Sequence, residues 1–215
     1  MSETLIKFRE AILAYDAKAA TELAAKAIGE GEDPLNIADV GIEVLKQIGD
    51  SFGRGDAWLP DLIGASDTIT KAMSLIETEL KLRGKKRRTL GTIVIGTVYG
   101  DIHNIGKDML ATLAAAEGFE VVDLGVDVKR ETFMGAIREH EPDILAMSAL
   151  LTTTAPEQGK VIRMLKDEGF RDKLKVVVGG GAITSEFARS IGADGYEPTA
   201  PMGVKLLKSI MGKGE

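Results

Sequence analysis

A chain of 215 residues with 44% hydrophobic and 28% charged side chains can bury a sizeable core, as one large or two small domains. Its net charge of −6 argues against broad electrostatic attraction to nucleic acid or anionic lipid. With no cysteine it can build no disulfide, iron–sulfur cluster or thiolate zinc site. The N-terminus, Met1 to Glu10, lacks the apolar stretch of a signal peptide, and no apolar run approaches the ~18 residues of a membrane span. A cytoplasmic protein with neither membrane nor nucleic acid as partner is expected.

Residues 1–82 read as helix alone. Leu5, Phe8, Ile12 and Leu13 mark one amphipathic segment, and Leu23, Ala24, Ala27 and Ile28 a second. Val40, Val44, Leu45, Ile48 and Phe52 follow Pro34, which suits a first helical turn. Leu62, Ile69, Met73, Ile76 and Leu80 form a fourth segment, opened by Pro60 and Asp61. Four segments with short connections predict a four-helix bundle. The break Phe52-Gly53-Arg54-Gly55-Asp56-Ala57-Trp58-Leu59-Pro60 is a tight corner that presents the sole tryptophan. The run Lys81–Arg88 holds six positive charges without interleaved aromatics, so residues 83–90 are expected as a solvated basic linker rather than a nucleic-acid patch.

From residue 91 the period changes. Apolar runs at 92–98, 119–124, 143–148 and 174–178 alternate with helical patterns at 104–117, 130–140, 155–168 and 184–191. A shorter run at Ala193-Asp194-Gly195-Tyr196 precedes a last helix near 202–211. This alternation predicts a five-stranded parallel sheet with helices on both faces, a flavodoxin-like (Rossmann-type) α/β domain over 91–215. In the order 2-1-3-4-5, ligands sit beyond the carboxyl ends of strands one and three, where the winding reverses. Two loops meet there: Gly100-Asp101-Ile102-His103-Asn104-Ile105-Gly106-Lys107 after strand one, and Ser148-Ala149-Leu150-Leu151-Thr152-Thr153-Thr154 after strand three.

His103 is one of two histidines. Asp101, two residues earlier, is close enough to accept the proton of one ring nitrogen, which leaves the other a directed lone pair for a metal or a proton. The bland alternative is a helix-entry turn with Asp101 as its cap. The hydroxyls Ser148, Thr152, Thr153 and Thr154 could likewise only cap the helix that starts near Ala155 and Pro156. Gly179, Gly180 and Gly181 could form only a turn, but they also let a bulky planar ligand lie against backbone. A hydrolase triad of Ser148, His103 and Asp101 lacks the G-x-S-x-G elbow. A receiver domain should show an acidic cluster that is not present in the sequence. One histidine without a second histidine or cysteine nearby cannot hold bare zinc, but it can hold an axial position of a metal already bound in a macrocycle.

These residues carry a resemblance. D-x-H-x-x-G (Asp101, His103, Gly106), S-x-L (Ser148, Leu150) and a glycine pair follow in the order of the cobalamin-binding domain, a module of methionine synthase, adenosylcobalamin mutases and methyltransferase corrinoid proteins. The helical half resembles the cap of the methyl-transferring members, whose G-x-x-F-x-x-G-x-x-x-L-P is matched by Gly49, Phe52, Gly55, Leu59 and Pro60. The resemblance implies cobalamin or a related corrinoid, with its dimethylbenzimidazole tail detached from cobalt and threaded into a slot. His103 is then the lower axial ligand of cobalt, oriented by Asp101. Thr154 stands where relatives often place a serine as third member of that relay. Ser148 and Thr152 are implied contacts of the buried base, Gly179 to Gly181 its close approach and Tyr196 the border of the tail. Phe52 and Leu59 are implied covers of the upper corrin face, with Trp58 a further candidate whose bland alternative is plain core.

The implied function is that of a methyl carrier alternating between methylcobalamin and cob(I)alamin. It would not be catalytic alone, since the two halves consume the chain and leave no domain for donor or acceptor. The implied partners are a substrate:corrinoid methyltransferase, a second methyltransferase acting on tetrahydrofolate or coenzyme M, and a reductive activase as a further candidate. The methyl donor stays open among a methylamine, a betaine, methanol and a methoxylated aromatic. The rivals are a cobalamin-dependent sensor, although residues 1–82 offer no basic recognition helix, and a mutase small subunit, which normally lacks the cap.

Overall fold

Local side-chain chemistry starts each of the first helices. In the computed structural model, which describes residues 1–85, 87 and 89–212, the side-chain oxygens of Ser2, Asp16 and Asp33 accept the amides of Leu5, Ala19 and Leu35. These caps open α1 (Glu3–Leu13), α2 (Ala17–Gly29) and α3 (Pro34–Arg54). Pro34 occupies the first turn of α3, where its missing N–H costs nothing. Gly55, left-handed at φ 83°, ends it. Helix α4 (Leu59–Leu82) begins with the Asp61 carboxylate accepting the Trp58 amide at 2.7 Å, and Tyr15 donates its hydroxyl to the other oxygen at 2.9 Å. The apolar stripes expected from the sequence close on one another, burying Phe8, Ile12, Ile37, Leu45, Leu62 and Ile76 completely. Phe52 and Leu59 are half-buried. Trp58 is 77% exposed, so its plain-core alternative is wrong: as the N-cap of α4 it stands outside the apolar stripe. Lys86 and Arg88, in the stretch expected as a linker, and residues 213–215 lie outside the described residues.

The chain divides into two compact units, one of residues 1–88 with 115–117 and one of residues 89–114 with 118–215. The second alternates β1 (Thr92–Thr97), α5 (Ile105–Ala116), β2 (Glu120–Asp123), α6 (Arg130–His140), β3 (Ile144–Ser148), α7 (Pro156–Asp167), β4 (Lys175–Gly179), α8 (Ser185–Ile191), β5 (Gly195–Tyr196) and α9 (Ala200–Ile210). The five strands pair in parallel in the order β2-β1-β3-β4-β5, as the strand–helix alternation predicted. Among the described residues no helix is long and apolar enough to cross a membrane.

Strand parity divides the sheet into two faces. Val94, Leu145, Met147, Val176 and Val178 pack with Phe133 and Met134 of α6 and Val161 and Leu165 of α7. On the opposite face, register aligns Ile95, Ala146, Val177 and Gly195 in one row. Thr97, Ser148 and Gly179 form the next row toward the carboxyl ends. Helices α5 and α9 flank this second face: a Cβ on Gly195 would meet Leu206, and one on Gly203 would come within 3.0 Å of Leu110.

The glycine run after β4 has a reason internal to the protein. Gly180 has φ +116°, and a Cβ there would lie 2.0 Å from the Ala149 carbonyl oxygen. Only glycine lets the β4–α8 loop pass the β3–α7 loop so closely. Gly180→Ala is therefore expected to cost at least about 2 kcal/mol in urea denaturation, from strain at that φ plus the clash. A cost below 0.5 kcal/mol would contradict this packing.

Candidate functional site

The site is built on one buried carboxylate. Asp101, fully inaccessible, sits in the β1–α5 loop and accepts five hydrogen bonds. Its Oδ1 takes the backbone amide of His103 at 3.1 Å and the ring Nδ1 of His103 at 2.7 Å. Its Oδ2 takes the amides of Leu150 and Leu151 at 2.8 and 3.3 Å and the Thr154 hydroxyl at 2.6 Å. Burial pushes the Asp101 carboxyl up, but the hydrogen bonds from Thr154, from the His103 ring and amide and from Leu150 outweigh it and hold the group far below the usual carboxylate range. An ionised carboxylate has no proton to give, so Nδ1 carries the hydrogen, and in the neutral ring Nε2 then carries the lone pair. The His103 side chain is 46% exposed, so that lone pair is offered outward.

The helix-entry reading and the ligand reading of Asp101 thus coexist, one oxygen serving both the turn and the ring. The capping reading of Thr154 fails: α7 has no side-chain cap, and the Thr154 hydroxyl faces Asp101 and, at 3.0 Å, the Leu151 carbonyl. A third loop clamps the same corner. Asp127, left-handed at φ 54°, accepts the Gly100 amide at 2.7 Å and donates its own amide to the Asp101 carbonyl at 2.9 Å. Thr97 fixes the other flank by donating its hydroxyl to the His103 carbonyl at 3.0 Å.

Beside His103 a slot of about 460 Å³ runs down the sheet face between α5 and α9, a size ordinary for a small-molecule site. His103, Gly106, Ser148, Leu150 and Gly179 to Gly181 line it, as the sequence proposed. Thr152 does not: it is exposed at the tip of its loop, away from the lining. Nor does Tyr196, because it pairs with Val178 and so shares that residue's face, packed against the core of the opposite layer. Thr152 and Tyr196, expected against the base and the tail, thus stand outside the lining of this slot. Phe52 and Leu59 belong to the helical unit, whereas the slot is lined by the α/β unit alone. The sequence reading missed Ala146, Val177, Leu110, Lys107 and Gly203. Period two, counted back from Ser148 and Gly179, was the available signal for Ala146 and Val177; Gly203 offered none.

Two family models, each described as a B12 binding domain, match residues 91–205 and 5–77. The trimethylamine corrinoid protein of Methanosarcina barkeri is 38% identical over 210 residues, covering 97% of each chain. This chain belongs to the corrinoid proteins of methyltransferase systems. A chain of the crystal structure of the methanol:cobalamin methyltransferase complex MtaBC from Methanosarcina barkeri matches 98% of this corrinoid protein and 80% of its own length, with TM-score 0.82 and 28% identity. The structure of the Methanosarcina barkeri monomethylamine corrinoid protein matches over 97% of this chain and 98% of its own, with TM-score 0.54 and 31% identity. Cobalamin or a related corrinoid is the cofactor.

The residues present fit that group. His103 sets an imidazole beside the slot, a donor that suits a metal already held in a macrocycle. A Cβ on Gly106 would meet no protein atom within 4 Å, which leaves that wall of the slot open to a ligand. Ser148, at the end of β3, lines the slot from the sheet.

The Asp101 hydrogen bonds predict a pH signature in the corrinoid-free protein. The folded carboxyl lies below its unfolded value of about 4, so its stabilisation is complete at neutral pH and is lost as pH falls from about 4 toward the folded value. Asp101→Asn should cost roughly 2–4 kcal/mol at pH 7. Urea denaturation should show that deficit shrinking as pH drops below about 4; a deficit independent of pH would rule out the charged acceptor.

Proposed function

We propose that this corrinoid protein carries a methyl group in the cytoplasm, from a methylamine-specific methyltransferase to a second methyltransferase acting on tetrahydrofolate or coenzyme M. The identity to the trimethylamine corrinoid protein over nearly the whole chain supports a methylamine as donor. The observation that carries the proposal is the His103 imidazole, bound at Nδ1 by a buried carboxylate and open at Nε2 beside a slot. When bound, the corrinoid supplies a cobalt centre that takes a methyl group from one partner and yields it to the other.

The chain's own residues do the rest. His103 would hold the cobalt through Nε2, with Asp101 fixing both the tautomer and the ring plane. Thr154 holds Oδ2 of Asp101, which keeps Oδ1 for the ring. The 2.7 Å contact from Nδ1 to Asp101 keeps the ring turned so that Nε2 faces away from the carboxylate. The slot would take the detached nucleotide tail, with Ser148 at its mouth and Gly179 and Gly106 leaving room beside backbone. Phe52 and Leu59 of the helical unit are the proposed cover of the upper face, excluding water from the reactive side.

Replacing the imidazole is the direct test. His103→Ala should retain corrinoid through the tail slot, change the visible absorption spectrum of the loaded protein and slow methyl transfer at least about tenfold. Unaltered spectrum and rate would rule out the axial role. Offering trimethylamine and methanol, each with its own methyltransferase, to the reduced protein tests the donor: methylation from methanol alone would refute the methylamine assignment.

A further inference from the structure

Polarity in the slot is graded. Deep in it, the in-register side chains facing α5 and α9 are Ile95, Ala146 and Val177, and Leu110 closes over them from α5. Gly203 narrows the same end, since a Cβ there would come within 3.0 Å of Leu110 Cδ1. Polar side chains gather one register row nearer the carboxyl ends and beyond, at Ser148, Asn104, Glu197 and Thr199. Lys107 lines the wall too, but its ammonium is held 2.5 Å from both Asp108 and Asp123. The strand amides and carbonyls under the deep row are engaged in the parallel ladder. A ligand end reaching Ile95, Ala146, Val177 and Leu110 therefore meets hydrocarbon and no free hydrogen-bonding side chain.

We infer that this slot selects among corrinoids by the inserted base, favouring an alkylated benzimidazole over a purine. The inference rests on the proposed insertion of the nucleotide tail. An adenine in the deep end buries an exocyclic amine and ring nitrogens without partners, an uncompensated desolvation. The two methyl groups of dimethylbenzimidazole instead gain by leaving water. An apolar pocket separates such near-isosteres by roughly ten- to a hundredfold. Ala146 is the specificity-determining position, because its register places it between Ile95 and Val177 at the centre of the row.

The test is equilibrium binding to corrinoid-free protein, read by absorbance, with three probes sharing one corrin ring: cobalamin, the adenine-based cobamide, and cobinamide, which has no nucleotide. Cobalamin binding about 10–100 times more tightly than the adenine form, with cobinamide weakest, is the expected result. If both cobamides bind alike and far more tightly than cobinamide, the base preference is overturned while the slot reading stands. If all three bind alike, tail insertion itself fails and the preference with it. Ala146→Ser, which adds a donor and an acceptor to the deep row, should reduce the cobalamin-to-adenine ratio; an unchanged ratio in folded variant removes Ala146 as its determinant. The wild-type series decides the preference whether or not that variant folds.

Discussion

A single ionised carboxylate with no access to water holds this site together. Taking Asp101 out of solvent is tolerable because every direction around it is answered by a donor: two backbone amides of the β3–α7 loop, the Thr154 hydroxyl, and the amide and ring of His103. The same bonds that make the burial affordable join the two loops that meet where the sheet reverses its winding. They also decide which nitrogen of His103 is protonated. Stability, loop geometry and ligand chemistry are in this way set by one group, and none can be altered there without disturbing the other two.

Around that anchor the sheet does two unlike jobs on its two faces. Against α6 and α7 it is packed with Val94, Leu145, Val176 and Val178 in the manner of a buried parallel sheet. Against α5 and α9 the corresponding rows set Ala146, Ser148, Gly179 and Gly195 among Ile95, Thr97 and Val177, and these small residues leave space between sheet and helices. The slot is thus a programmed shortage of side-chain volume on one parity of β3, β4 and β5. Its walls stay up because the opposite parity is filled.

Much of this was legible in the residues. Apolar spacing, the prolines at the starts of α3 and α4 and the change from helical to strand period gave the elements, and alternation gave the sheet order, whereas the caps at Ser2, Asp16 and Asp33 came to light only in the fold. The pairing of Asp101 with His103 followed from their spacing. What escaped was set by contacts distant in sequence. Only the resemblance put Thr154 beside Asp101; spacing alone left it equally a helix cap, because its partner is 53 residues away. Tyr196 looked like a site residue because its parity could not be known before its pairing with Val178. The glycines after β4 suggested ligand contact, yet Gly180 is required first by the Ala149 carbonyl.

Asp127 adds a consequence for motion. With Gly100 and Asp101 clipped by its side chain and amide on one flank, and the His103 carbonyl tied to Thr97 on the other, the backbone bearing the imidazole has no slack segment to serve as a hinge. Asp127 itself tolerates a left-handed conformation to make the clip. Any change in what Nε2 of His103 holds would then take place over a stationary loop, by rotation about the side-chain torsions alone.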